Sequence, residues 1–93
     1  MESETEEFIT PNIYLSSAIS VLLNIQPNFK VENGRTLFCF PVSDDLYKAI
    51  SAYNNGIALS AYEYAEKIKR LRGEMITRRE SEKGKNNGNK KNF

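Results

Sequence analysis

The sequence predicts a small α+β domain: a short N-terminal strand, a central helix, a β-hairpin, two C-terminal helices and a disordered tail. Three observations predict it. Asn33-Gly34 lies between two alternating apolar runs, the signature of a two-residue hairpin. Three segments show helical apolar spacing behind a helix-start signal. From Ser81 onward the composition collapses to Lys, Asn, Gly, Glu and Ser, apart from a final Phe93. The expected boundaries are residues 1–7 for a disordered acidic N-terminus, 8–78 for one domain and 79–93 for a disordered basic Lys/Asn-rich tail.

Phe8-Ile9-Thr10 is the first apolar contact and reads as a very short strand. Thr10-Pro11 then opens the first helix, with Thr as N-cap and Pro at the first helical position. That helix runs to Leu23 or Asn24. Tyr14, Ala18, Val21 and Ile25 share one face, and Leu15, Ile19, Leu22 and Leu23 lie beside them. So wide a stripe marks the most buried helix.

The hairpin follows. In type I′ geometry both turn residues need positive φ, which Asn-Gly supplies. A two-residue loop sets the pairing: Glu32 with Arg35, Val31 with Thr36, Lys30 with Leu37, Phe29 with Phe38. One face then carries Phe29, Val31, Thr36, Phe38 and Phe40 and is expected to meet the helices. The other carries Lys30, Glu32 and Arg35, and also Leu37 and Cys39.

Ser43-Asp44-Asp45 starts the second helix, with a Ser N-cap and two acids at the positive end of the dipole. Leu46, Ala49, Ile50 and Tyr53 form its stripe, and Asn54-Asn55-Gly56 ends it. Ser60-Ala-Tyr-Glu63 is a capping box for the third helix, with Leu59 and Tyr64 placed for a hydrophobic staple. This helix is expected to end between Met75 and Arg79.

Composition bounds the function. The 93 residues support one modest core, of net stability a few kcal/mol, so added burial in a homodimer or a complex is one expectation. A lone Cys39 forms no internal disulfide, which points to a cytoplasmic setting. The N-terminus is acidic, unlike a secretory signal. The apolar stretch Ile13–Ile25 is too short, and too interrupted by Ser16, Ser17, Ser20 and Asn24, to span a bilayer. Net charge is +1 but segregated: residues 1–7 hold four acids and no bases, and residues 67–93 hold ten bases and three acids. Such asymmetry fits an anionic partner or a solvated end.

The search for catalysis is negative. There is no histidine, no glycine-rich phosphate loop, no zinc-spaced Cys/His set and no Ser-His arrangement. Cys39 lies in an apolar strand without a basic neighbour, so it reads as an inert thiol. Asp44 and Asp45 read as capping acids rather than magnesium ligands. No catalytic residue, metal ligand or cofactor is expected.

The basic stretch carries the functional expectation. Lys67, Lys69, Arg70 and Arg72 lie along the third helix, with Arg78 and Arg79 after it. Lys69 and Arg72 share the outer face with Glu66; Lys67 and Arg70 flank the apolar stripe. The plain reading is a solvated face whose bases complement the helix dipole. The sharper one is a phosphate-binding face extended by Lys83, Lys85, Lys90 and Lys91. Tyr47 and Tyr62 fall off the core stripes, and with Leu37 and Cys39 they are the candidate partner-binding residues.

The runs Phe8-Ile-Thr-Pro-Asn-Ile-Tyr-Leu15, Arg35-Thr-Leu-Phe-Cys-Phe40, Ala52-Tyr-Asn-Asn-Gly56 and Tyr64-Ala-Glu-Lys-Ile-Lys-Arg-Leu71 resemble a family of short uncharacterised bacterial and phage proteins over about residues 8–76. Its members share a Thr-Pro-x-Ile-Tyr-Leu start, an aromatic strand, an Ala-Tyr-x-x-Gly turn and a basic final helix. The resemblance implies a bacterial, phage or mobile-element context and supplies no catalytic residues. Two expectations stay open: a non-enzymatic protein that associates with nucleic acid, or a protein-binding module such as a phage inhibitor or adaptor of a host protein.

Overall fold

The structure is a computed structural model that describes the backbone of residues 6–87 and the side chains of residues 6–80. Of the N-terminal segment 1–7 expected to be disordered, residues 1–5 lie outside the described residues, as do residues 88–93 of the expected tail, whereas Glu7 is strand and pairs with Pro41. The element order is β1 (Glu7–Thr10), α1 (Ile13–Leu23), β2 (Asn28–Glu32), β3 (Arg35–Pro41), α2 (Asp44–Asn54) and α3 (Ala61–Asn87). The three strands form one antiparallel sheet in the order β1-β3-β2, so the α+β class holds.

The hairpin has the register that its turn demands: Glu32 opposes Arg35, Val31 opposes Thr36, Lys30 opposes Leu37 and Phe29 opposes Phe38. Asn33 and Gly34 both take positive φ, 53° and 75°. On the other side of β3, Phe8 opposes Phe40 and Ile9 opposes Cys39. The side-chain alternation of a strand therefore puts Phe8, Phe29, Phe38 and Phe40 on one face. Phe38 and Phe40 are fully buried and cluster with Ile19 of α1, Leu46 and Ala49 of α2 and Leu71 of α3. Phe29 meets Phe38 edge-on, with ring centroids 5.5 Å apart. The result is a two-layer arrangement, with the described helices on one sheet face.

Three expectations need correction. The N-cap of α1 is Asn12, not Thr10: its side chain accepts from Tyr14 N–H at 2.9 Å and Leu15 N–H at 3.2 Å. Thr10 is the last residue of β1, and its hydroxyl accepts from Asn12 N–H at 3.1 Å, so Thr10-Pro11 forms the turn before the helix. Tyr14 is half exposed, not core. The fully buried positions of α1 instead include Ser16, Ser17 and Ser20; small side chains let α2 and α3 pack close to it. Last, α3 continues to Asn87. Its nucleus is already packed on the core, and each further Arg, Glu or Lys adds a backbone hydrogen bond at little conformational cost.

Both other helix starts behave as their sequences require. Ser43 Oγ accepts from Leu46 N–H at 3.0 Å, and Ser60 Oγ accepts from Glu63 N–H at 3.2 Å. Asn24, which ends α1, takes left-handed geometry with φ 55°.

The turn and the core give separable predictions. A Cβ at Gly34 would meet nothing within 4 Å, so Gly34→Ala costs only backbone strain, about 1 kcal/mol in urea denaturation. Phe38→Ala leaves a cavity under all three helices and costs about 3–5 kcal/mol, enough to remove cooperative unfolding from a domain of this size.

Candidate nucleic-acid interface

The 27-residue α3 is about 40 Å long at 1.5 Å per residue. Its N-terminal part packs on α1, and Leu71 and Met75 carry it over the sheet. The Thr36 hydroxyl donates to the Met75 carbonyl at 3.4 Å and ties the helix to β3. Arg78 lies over the Phe29 ring, 4.9 Å from its centroid, and its Nε donates to Glu74 Oε1 at 3.4 Å.

This packing sorts the six candidate cations. Arg78 is engaged at the sheet seam, in the only ion pair among the described residues. Lys67 is half-buried beside α1. Arg70 is exposed but borders the same α1 groove. Lys69, Arg72 and Arg79 are all exposed, and at 100° per residue they fall within about one quarter-turn of one another. Lys83 occupies the next register position of that face. The structure thus brings three of the six together as a stripe, with Ile76, 47% exposed, in its middle, and it turns Lys67, Arg70 and Arg78 to other sides.

A hollow of about 350 Å³ lies between α1 and α3. Ser20, Val21 and Asn24 form one wall; Tyr62, Glu63, Glu66, Lys67 and Arg70 form the other. Ser20 is fully buried and its hydroxyl has no hydrogen-bond partner. The residue's only sequence signal was the serine-rich run of α1, which reads equally well as close helix packing. A second, wider hollow of about 620 Å³ is bounded by Tyr53, Ile57, Leu59 and Tyr64 at the α2–α3 connection. No charged side chain lines it. The Tyr64 hydroxyl there donates to the Tyr14 carbonyl at 3.1 Å.

The four partner-binding candidates do not form one surface. Tyr62 is 74% exposed at the α1–α3 hollow, Tyr47 is exposed on α2, and Leu37 is half-buried on the open sheet face. Cys39 is buried in the middle strand, flanked by Ile9 and Asn28. It has no surface to offer a partner, which corrects its place among them. No group of three or more His, Cys, Asp or Glu residues is placed to hold a metal ion among the described residues. No described helix is long and apolar enough to cross a membrane. No protein-family model matches the chain, and no curated protein or solved structure shows significant similarity to it.

Burial pushes the Cys39 thiol up, the Glu7 carboxylate pushes the same way, and Lys30 opposes them. Burial and Tyr53 likewise raise the Tyr64 hydroxyl. In both cases the folded chain holds its proton more tightly than the unfolded one. Stability is therefore complete below the unfolded thiol pKa of about 8.5 and falls as pH rises beyond it. In thermal melts across pH the decline of Cys39→Ala should begin later, near the tyrosine range of about 10.

Proposed function

We propose that the chain is a non-enzymatic nucleic-acid-binding protein that lays the exposed stripe of α3 along a phosphate backbone. The observation that supports this best is the register of Lys69, Arg72 and Arg79: three exposed cations on one helix face, spanning about 15 Å of axis, none of them held in an ion pair among the described residues. A rigid row of this kind neutralises successive phosphates and releases their counterions. Helix side chains that reach phosphates without entering a groove confer affinity and little base preference. Glu80 borders the stripe and Glu66 lies further round, which keeps the attraction moderate.

A protein-binding reading, such as an inhibitor or adaptor of a host protein from a phage or mobile element, has its own support. Among the described residues no helix covers the second sheet face, where Ile9 is 43% exposed beside half-buried Leu37. It predicts binding that tolerates salt and is lost in Ile9→Lys.

The two readings separate in one titration against a random-sequence duplex. Three or four neutralised phosphates predict an affinity that falls about 40- to 150-fold between 50 and 200 mM salt. The triple variant Lys69→Ala, Arg72→Ala, Arg79→Ala should lose most of both the affinity and its salt slope. Arg70→Ala, outside the stripe, should lose much less. Absence of binding at 50 mM salt would sink the nucleic-acid reading.

A further inference from the structure

We propose that the hollow between α1 and α3 holds one unstacked nucleotide of a single strand, preferring a base with an exocyclic amine. This deepens the nucleic-acid reading above and rests on it. The hollow opens on α3 beside the cationic stripe. At about 350 Å³ it falls at the small end of the range for small-ligand clefts, roughly 300–1,000 Å³.

Its chemistry is selective. Two carboxylates, Glu63 and Glu66, and two cations, Lys67 and Arg70, line it. Each Glu stands four residues before a base, the spacing of a favourable helical ion pair, yet neither pair is closed. A bare anion gains from the cations and is repelled by the carboxylates. A nucleotide satisfies both: its phosphate takes Lys67 and Arg70, and an amino group on its base donates to a carboxylate, which can only accept. Tyr62 offers a nearly free aromatic face on the same wall, 74% exposed, on which a base can stack. Ser20, on the α1 wall, is fully buried with an unpartnered hydroxyl, a group that a bound polar ligand would satisfy. Bases stacked and paired inside a duplex cannot enter, so the hollow should act only on single strands.

The test uses the full chain and fluorescence anisotropy with labelled dC10, dT10 and a mixed-sequence duplex. Cytosine and thymine are pyrimidines of similar size, but cytosine presents an amino group where thymine presents a carbonyl. The wild type should bind dC10 about tenfold more tightly than dT10. Tyr62→Ala should weaken dC10 about tenfold and leave the duplex unchanged. Glu66→Ala should abolish the dC10/dT10 ratio, a readout that its change in net charge does not move. Free dCMP should compete with dC10 where equal inorganic phosphate does not. Circular dichroism checks that both variants fold; Tyr62 and Glu66 are exposed helix positions where Ala favours the helix. Equal binding of dC10 and dT10 with no effect of Tyr62→Ala, or equal competition by phosphate, overturns the nucleotide site and leaves salt-dependent duplex binding by α3 standing. No binding to any of the three at 50 mM salt overturns both.

Discussion

Phe38 and Phe40 on the middle strand are the surface on which all three helices meet. Ile19, Leu46 and Leu71, one fully buried residue from each helix, close over them. β3 is bonded on both sides, to β1 and β2, so these two rings stand on a platform without a free edge. Every other placement follows from that seating. α1 lies between α2 and α3 because its neighbours need the same two rings, and its buried serines let them come near enough to reach them. The contact at Leu71 in turn sets the rotation of α3 about its own axis. That rotation sends Lys69, Arg72 and Arg79 outward and Arg78 down onto Phe29.

The hairpin was legible because its turn leaves few alternatives. Asn33-Gly34 demands one backbone geometry, the geometry fixes the register, and the register assigns faces to every residue from Phe29 to Phe40. The caps of α2 and α3 were legible for the same reason, since a Ser followed by acids has one local use. The start of α1 was not, because Thr10 and Asn12 are both good caps two residues apart, and pairing of Thr10 into β1 decided between them. The end of α3 was misread because its polar composition resembles a chain that cannot bury surface. A helix that inherits its nucleus from a packed core does not need burial to continue.

The candidate site was half legible. Spacing alone puts Lys69 and Arg72 on one face and leaves Lys67 and Arg70 to flank it. It does not reveal that Arg78 is occupied by an aromatic ring contributed by β2, a contact 49 positions back in the chain. Nor does it reveal the α1–α3 hollow, whose walls come from two segments about 40 residues apart and whose polar floor looks, in sequence, like packing. Long-range placement of polar side chains is what periodicity cannot supply.

In α3, Arg78 touches the sheet at Phe29, and the helix runs on to Asn87. Nine residues, about 13 Å of helix, follow that contact. Alone they would be far below the length at which a helix holds in water. Here they are extended from an existing template, so their order depends on residue-by-residue propagation. Propagation of a helix in water is nearly balanced, so each residue added there weighs on where the helix ends. The C-terminal end of α3 is therefore held by propagation from the packed part of the same helix, and its length answers to the helix propensities of its own residues.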